Sequence, residues 1–443
     1  MTSFDKKRDS LMTNIAVIGS GISGLSCAYE LSKAGYEVSL FEANDYFGGH
    51  THTVDVSLEG HTYGVDTGFL VFNHKTYPNL VRLFAELEID TAATDMSFSV
   101  KMPLGRRTLE WGGADLSTVF AQKRNLLSPG FLRMLRDILR FNKQTTALAL
   151  SKDQQEFQTP LGTFLDQHHY SQEFRHWYLL PMAACIWSCP TATMMAFPVA
   201  SFVNFCHNHG LLQVTDRPQW YTVRGGAKHY VEKMLPHIAH RYLHTPVKAV
   251  YANPAGKMVV HSANGLQEFN DVVMATHSDQ SVKLLTDANE LEKQILSAVK
   301  YQPNRAVLHT DSRFLPDNKK TWSAWNYQSK TGDESRVCVH YLLNQLQPLP
   351  FKTPVIVTLN PIEEPRADQI IDSYDYAHPV FDKAAVRAQQ QLPTIQGKRG
   401  VWFAGAWTNY GFHEDGLKSG LNVATAITAR DATDYHPAES KAA

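Results

Sequence analysis

The sequence predicts an α/β fold in which a discontinuous Rossmann-type domain, built from both ends of the chain, carries an inserted α+β domain. Near the N-terminus a buried strand, a glycine turn, a helix, a second strand and an acid follow one another. A strand, a glycine and a helix recur near the C-terminus, over residues 400–427. Between these parts, residues 78–209 have mostly helical patterns and residues 306–359 have strand patterns. The two ends are therefore expected to complete one lobe and the middle to form another.

A complete dinucleotide-binding unit occupies residues 15–42. Residues 15–18 are an apolar run typical of a buried parallel strand, and residues 25–34 have helical spacing. Residues 38–41 form a second predicted strand, which ends on Glu42. The whole unit is far less frequent by chance than its glycines alone, so it predicts a nucleotide site.

The glycines of the turn, Gly19, Gly21 and Gly24, have the spacing G-x-G-x-x-G. Gly19 allows the tight turn, Gly21 lets the backbone approach a pyrophosphate, and Gly24 lets the helix pack on the strand. We expect the phosphates at the positive N-terminal end of the helix, near Ser23. The carboxylate of Glu42 can accept hydrogen bonds from an adenosine ribose and disfavours a 2′-phosphate.

Composition fits a globular protein and argues against several classes of function. The 443 residues exceed the usual size of a single core, so two domains are expected. Hydrophobic residues make up 43% of the chain and charged residues 19%, and the net charge of −1 gives no support for nucleic-acid binding. The five scattered cysteines fit a reducing compartment. No second pair accompanies Cys185 and Cys189, so no metal site is expected.

The sequence has no feature of secretion or of a membrane span. Residues 1–13 are polar and basic and lack the apolar core of a signal peptide. No apolar run reaches the ~18 residues that a spanning helix needs. We therefore expect a cytoplasmic protein with disordered tails at residues 1–11 and 436–443.

The pattern divides the chain into two discontinuous domains. The nucleotide-binding domain is predicted to comprise residues 12–60, 215–285 and 395–435. The substrate domain is predicted to comprise residues 61–214 and 286–394.

Further motifs accompany the nucleotide unit over nearly the whole chain. They are Gly48-Gly49, Gly225-Gly226, and Phe403-Ala404-Gly405 followed by Ser419-Gly420. With these motifs the sequence resembles the flavin amine oxidase and phytoene desaturase superfamily of FAD-dependent oxidoreductases.

Three segments, residues 49–53, 65–69 and 410–417, make the sequence most similar to a bacterial group of NAD/FAD-binding proteins within that superfamily. A similar module precedes the methyltransferase part of plant cyclopropane fatty acid synthases. The resemblance implies FAD, and the lack of a cysteine in the C-terminal region implies that it is held noncovalently. The residues that it assigns to cofactor binding are Gly19, Gly21, Ser23, Gly24, Glu42, Gly48, Gly49, His50, Val247, Gly405, Gly416 and Leu417.

The sequence also departs from the superfamily at three charged positions. His50 stands where an arginine usually follows the paired glycines, and Ala406 stands where an acid usually follows Phe-Ala-Gly. Our alignment puts Arg305 where amine oxidases tend to have a lysine beside the flavin. Arginine stays protonated in proteins and cannot act as a proton acceptor, which weakens the case for amine oxidation.

Candidate catalytic residues precede or begin the last predicted helix. Tyr410 is expected to line the active site, and His413 or Glu414 to move a proton. The alternative is that these residues cap and pack the helix, since an acid at its start suits the helix dipole. Arg305 completes the set of candidates.

Residues 126–143 have an apolar stripe beside a surplus of basic residues. One interpretation is an interfacial helix that lies against an anionic membrane, at the inner face. The other, which we favour from the sequence, is an ordinary amphipathic helix with a solvated basic face.

The function predicted from these features is removal of a hydride equivalent from an apolar substrate, such as a lipid acyl chain, by an FAD-dependent oxidoreductase. One alternative is an amine or polyamine oxidase. The other is a non-catalytic flavoprotein that partners a lipid methyltransferase. The association with cyclopropane synthases favours the lipid by analogy.

Overall fold

A parallel sheet fixes the position of the glycine turn. The computed structural model describes residues 13–151, 159–187, 191–208, 218–330 and 333–434. Its five-stranded parallel sheet has the order His240–Tyr242, Glu37–Phe41, Asn14–Ile18, Asp271–Met274 and Val401–Phe403. The first, middle and last parts of the chain all contribute strands to it, and the fold is the α/β class that the sequence predicts.

The larger, mixed sheet lies in the middle part of the chain and is almost entirely antiparallel. Its seven strands are, in spatial order, Ile370–Val380, Lys300–His309, Ile356–Leu359, Asp333–Leu342, Trp325–Lys330, Phe98–Leu104 and Arg107–Gly112. Smaller sheets comprise Thr53–Leu58 with His61–Asp66, Phe72–Asn73 with Trp220–Val223 and Thr91–Thr94, and Ala249–Ala252 with Met258–Ser262 and Gly265–Phe269.

Helices cover the sheets and fill the middle of the chain. Two of them adjoin the predicted site: the first helix, Ile22–Lys33, and the C-terminal helix, His413–Asp434. The other α-helices are Pro78–Glu86, Leu116–Val119, Pro129–Ser151, Leu161–Gln167, Gln172–Phe174, Leu180–Trp187, Thr191–Met195, Val199–Asn208, Lys228–Met234, Ser278–Leu284, Glu290–Ala298, Leu343–Leu346 and Lys383–Gln391. Within the described ranges, no helix combines the length and the hydropathy needed to cross a bilayer.

The first helix and the C-terminal helix run side by side in the same direction. Gly416 packs on Ser23, and Gly420, one turn further along, packs on Ser26. A side chain at Gly420 would overlap with the Ser26 hydroxyl, and one at Gly416 would come within 3.0 Å of the Ser23 hydroxyl. Close packing therefore requires glycine at both positions, and it brings the N-terminal ends of both helices to the same end of the sheet.

Several strands differ from the sequence prediction because their partners are distant in the chain. Thr91–Thr94, Phe98–Leu104 and Arg107–Gly112 lie in a part predicted to be mostly helical. Phe98–Leu104 pairs in parallel with Trp325–Lys330, a contact that no local pattern reveals. Ile370–Val380, an edge strand with polar residues and a proline, was not expected either.

The predicted tails, like Cys189, lie outside the described residues, and the structure does not test the predicted domain boundaries. The other four cysteines, Cys27, Cys185, Cys206 and Cys338, are free and buried.

Two buried histidines share a hydroxyl in the larger sheet. His309 Nε2 is 2.7 Å and His340 Nδ1 is 2.9 Å from Thr358 Oγ1, and His340 Nε2 is 2.8 Å from Gln328 Oε1. Burial lowers the pKa of His309 to about 4 and that of His340 to about 3. Both rings are therefore neutral in the folded protein near neutral pH.

We expect acid to destabilise the fold through these rings. The unfolded chain takes up their protons near pH 6.5 and the folded chain only near pH 3 to 4, so the free energy of unfolding falls as the pH falls through that window. In urea denaturation, the free energy of unfolding of the variant His340→Gln should fall less between pH 6.5 and 4 than that of the unchanged protein. At pH 7 the variant should be less stable by about 1–2 kcal/mol.

His61→Gln, at an exposed strand position, is the matched control and should keep the original pH dependence. The contributions of other buried groups to the pH dependence cancel, because each variant is compared with the unchanged protein. An identical pH dependence in His340→Gln and the unchanged protein would contradict the prediction.

Candidate active site

The carboxyl ends of the parallel strands meet at one edge of the sheet, where open α/β folds bind their ligands. Gly19 directly follows one strand, and its amide donates to the Phe41 carbonyl at 2.9 Å. Ala275 follows a second strand, and a side chain at Gly19 would press on its carbonyl oxygen. Ala404 follows a third strand and donates to the Met274 carbonyl at 3.0 Å. The early and late glycine motifs therefore lie at the same edge.

Gly21 leaves an open space that the chain itself does not fill. A Cβ atom there would meet no atom within 4 Å, and the backbone φ of −59° suits any residue. By contrast, a Cβ atom at Gly24 would overlap with the Gly19 carbonyl. Packing thus requires Gly24 but not Gly21, which is expected if the space in front of Gly21 belongs to a ligand.

The N-terminal end of the first helix faces that space without a protein cap. No side chain accepts a hydrogen bond there, and the first turn contains no acid. Uncapped amides and the helix dipole favour an anion at such an end. Gly49 also approaches closely: its φ is +59°, and a Cβ atom on it would lie 3.0 Å from Gly21 Cα. The donors and the space fit the diphosphate of FAD.

Glu42 is held at the same edge by three protein donors. The Ser20 amide donates to Oε2 at 3.0 Å and the Ser20 hydroxyl at 2.5 Å, while the Asn44 amide donates to Oε1 at 2.9 Å. Ser20 Oγ in turn accepts from the Gly48 amide at 3.1 Å. Since a carboxylate oxygen can accept two hydrogen bonds, Oε1 keeps a position for the predicted ribose.

The remaining predicted cofactor residues differ in how they reach this edge. The Gly405 amide donates to Ser419 Oγ at 2.9 Å. Leu417 is buried in the core, so its side chain supports the helix pair rather than lining an open space. The strand predicted around Val247 begins only at Ala249, and Val247 therefore lies in the connection that precedes it.

His50 is part of a histidine cluster that the sequence did not reveal; the cluster is formed by His50, His277 and His378. The His50 ring centroid is 5.5 Å from that of His378 and 6.3 Å from that of His277. Burial lowers the pKa of His50 well below its ordinary value, and the other histidines add to the effect. Burial likewise lowers the pKa of His378 to about 4. Each of the three residues nevertheless keeps some exposed surface.

The other two members of the cluster come from distant parts of the chain. His277 follows the strand Asp271–Met274 by three residues, a position at the carboxyl edge that could have been noted from the sequence. His378 lies on the unexpected strand Ile370–Val380. Within the described ranges, no group of His, Cys, Asp and Glu side chains has a metal-binding arrangement.

The segments 49–53, 65–69 and 410–417 are linked around His413. The His413 ring stacks on Phe69 with a centroid distance of 3.8 Å and an interplanar angle of 13°. Its Nε2 is 2.9 Å from the hydroxyl of Tyr230, which also bonds to the Thr51 hydroxyl. Burial lowers the pKa of His413 to about 3, although the ring is partly exposed. The imidazole is therefore neutral near pH 7.

The acids beside His413 are occupied by backbone donors. Glu414 accepts from the Asn79 amide at 2.9 Å and the Leu80 amide at 3.0 Å, and so caps the helix Pro78–Glu86. Asp415 accepts from the Phe412 amide at 3.0 Å. Burial raises the pKa of Glu414 and raises that of Asp415 to about 6. These contacts are of the capping type that was the alternative to proton transfer.

Tyr410 is partly buried and lies three residues before His413. The structure brings this segment to the edge of the site, and its catalytic role stays a prediction.

The structure places Arg305 at an exposed position on the strand Lys300–His309. Its guanidinium pairs with Glu364 at 2.7 Å, on the face of the strand opposite to the histidine cluster. Side chains alternate along a strand, and Asn304 is the neighbour that points inward, with Nδ2 2.8 Å from His378 Nδ1. The role predicted for Arg305 beside the flavin stays a prediction.

Comparison with known proteins agrees with this geometry. The family described as flavin containing amine oxidoreductase matches residues 22–428. A 1-hydroxycarotenoid 3,4-desaturase from Flavobacterium sp. (strain P99-3) is 42% identical over 83 residues, which are 18% of this chain and 16% of that protein. The chain therefore matches only about a sixth of the length of that relative.

Two solved structures share the fold over nearly their whole length. Cyclohexylamine oxidase from Brevibacterium oxydans IH-35A has a TM-score of 0.69 at 16% identity, with 95% of this chain and 100% of that chain covered. A CLA-producing fatty acid isomerase from P. acnes has a TM-score of 0.66 at 13% identity, with 94% and 98% covered. Because the family match spans most of the sequence, the chain belongs to the flavin-containing amine oxidoreductase family, a family of FAD-dependent oxidoreductases.

Proposed function

We propose that the protein uses FAD to remove a hydride equivalent from an apolar substrate, and that this substrate is a lipid acyl chain. The observation that carries the proposal is the neutral, aromatic surrounding of His413, formed by Phe69 and Tyr230. The neighbouring acids, Glu414 and Asp415, are occupied by backbone donors. An uncharged chain can enter such surroundings without losing hydration of a charge.

The cofactor would be held mainly by main-chain donors. Gly21 and the uncapped amides of the first helix would receive the diphosphate, and Glu42 the ribose. Gly49 and Gly405 would bring backbone close to the cofactor from two other segments. When bound, FAD supplies the hydride acceptor.

The histidine cluster would respond to negative charge at this site. Its rings are neutral in the protein alone because burial lowers the pKa of all three, and neighbouring histidines lower the pKa values of His50 and His378 further. An anion nearby raises the pKa of a histidine. His50, where relatives have arginine, can therefore take up a proton when negative charge arrives and remain uncharged without it.

His413 would accept and release a proton at the edge of the substrate space. Its ring is oriented by the stack on Phe69 and by the hydrogen bond to Tyr230, which makes Tyr230 a positioning residue. Because burial lowers its pKa, the ring is neutral near pH 7 and has one nitrogen without a proton.

The fatty acid isomerase with the same fold supports a lipid substrate by analogy, as does the resemblance to the module in cyclopropane synthases. The cyclohexylamine oxidase with the same fold supports the alternative of an amine or polyamine. Amine oxidation would be expected to use acids that attract a cation, and the two acids beside His413 already accept backbone hydrogen bonds. The third candidate is a flavoprotein partner of a lipid methyltransferase.

Anaerobic titration of the FAD-loaded protein tests the substrate class. We expect an acyl lipid to bleach the flavin absorption near about 450 nm, and cyclohexylamine and putrescine to leave it unchanged, because the site offers an amine no free acid. Dithionite serves as the control for complete reduction. Bleaching by an amine but not by lipid would overturn the substrate assignment, and no bleaching by either would favour the non-catalytic alternative.

The variant Gly21→Ala tests the cofactor site. Since the added methyl group meets no protein atom, the fold should keep its thermal stability, while FAD affinity should fall by roughly tenfold or more as the methyl group excludes the pyrophosphate. Fluorescence titration with FAD and thermal unfolding of the apoprotein measure the two effects. Gly113→Ala, whose added Cβ atom would lie 3.7 Å from its nearest neighbour, is the matched control. Unchanged FAD affinity in Gly21→Ala would refute the assignment.

The variant His413→Asn tests the proton-transfer role. Loss of the imidazole should slow flavin reduction by about 100-fold while the FAD content stays the same. Tyr230→Phe keeps the imidazole and removes only the Tyr230 hydroxyl, with its hydrogen bonds to His413 and Thr51, so it should slow reduction less. Stopped-flow absorbance under anaerobic conditions measures both rates. If His413→Asn reduces its flavin at the original rate, the assignment fails.

A further inference from the structure

Five strongly exposed leucines are concentrated in one short stretch of the chain. They are Leu116, Leu126, Leu127, Leu132 and Leu139, and Leu127 is the most exposed at 88%. Among the described residues, only four other large hydrophobic side chains are comparably exposed: Leu104, Leu266, Leu291 and Ile371. Large apolar side chains clustered in this way commonly mark an interaction site.

The apolar stripe predicted for residues 126–143 is divided between the core and this leucine surface. Phe131, from that stripe, is buried in the core together with Met134 and Phe141. Leu139, from the same stripe, is 60% exposed. Leu132 and Leu139 are seven residues apart, and therefore lie on one face of the helix Pro129–Ser151, away from the core. The helix thus buries part of the predicted stripe and projects two leucines outward.

The segment before this helix holds its leucines in a defined structure. Leu126 and Leu127 end a short 3₁₀ helix, Lys123–Leu127, in which the side chain of Asn125 is buried. The Leu132 amide donates to the Ser128 carbonyl at 3.0 Å, which joins the 3₁₀ helix to the long helix. The exposed leucines are therefore part of the folded surface.

Basic residues alternate with the leucines in this part of the sequence. Residues 114–143 contain six Lys and Arg but only two acids, Asp115 and Asp137. Asp137 is fully buried and lies 3.4 Å from Arg136 and 3.5 Å from Arg140. The six basic residues are Lys123, Arg124, Arg133, Arg136, Arg140 and Lys143. The surface is therefore both apolar and positively charged.

We propose that the leucine surface docks the protein on an anionic lipid bilayer. Leucines that project from a basic surface can enter the acyl boundary while lysines and arginines contact lipid phosphates. A second copy of the chain would oppose its own positive charge, so charge complementarity favours the bilayer. Docking itself follows from this surface alone, and its use to reach an acyl substrate rests on the proposed function.

Vesicle sedimentation with the FAD-loaded protein tests the docking. We expect the protein to sediment with vesicles that contain phosphatidylglycerol, and much less with pure phosphatidylcholine. The combined variant Leu126→Gln, Leu127→Gln and Leu139→Gln should lose affinity by roughly tenfold or more, since it removes apolar contacts and keeps the charge. Leu266→Gln, exposed on another part of the molecule, is the matched control and should bind as before.

The salt dependence of vesicle binding and the rate of flavin reduction distinguish the remaining outcomes of the test. Arg124→Gln with Arg133→Gln should weaken binding and reduce its salt dependence. Binding that is absent, or equal in the leucine variant, would overturn the proposal, as would a dimer that the leucine substitutions dissociate. Reduction of the flavin by detergent-dispersed acyl lipid should be unchanged in the leucine variant. If the unchanged protein reduces its flavin with dispersed lipid but does not bind vesicles, the docking proposal is wrong and the proposed reaction stands. If it binds vesicles but its flavin is not reduced, the proposed reaction is wrong and the docking proposal stands.

Discussion

The packing of two helix N-termini at one edge of a parallel sheet is the constraint on which the rest of the structure depends. Gly416 and Gly420 let the C-terminal helix lie directly on Ser23 and Ser26 of the first helix. This contact joins the two ends of the chain and aims both helix dipoles at one region. An anion there would be stabilised by main-chain groups, so the site does not require the arginine that His50 replaces.

The same constraint explains why the surroundings can remain neutral. Positive potential from two helix ends disfavours additional cations, and burial of the histidine cluster lowers the pKa of each ring further. Glu414 and Asp415 lie at the start of the C-terminal helix and accept hydrogen bonds from backbone amides and from the side chains of Asn79 and Asn409. Burial raises the pKa of both carboxyls, which favours their uncharged form.

Sequence patterns predicted the parts of this structure that depend on neighbours in the chain. The strand, turn and helix from Asn14 to Lys33 form through local spacing, and their glycines have steric reasons that can be read from the motif. Strands such as Phe98–Leu104 and Ile370–Val380 depend on partners far along the chain, so local patterns did not reveal them. The histidine cluster was missed for the same reason, because its members come from distant parts of the chain.

The segments 49–53, 65–69 and 410–417 are separated in the sequence but are linked by contacts in the folded protein. The Phe69 amide donates to the His50 carbonyl at 2.8 Å, which pairs the first two segments, and Phe69 then stacks on His413 of the third. Tyr230, from a fourth segment, bonds to both Thr51 and His413. A substitution in any one segment would therefore disturb the orientation of the others. The three segments thus form a single packed unit around one imidazole.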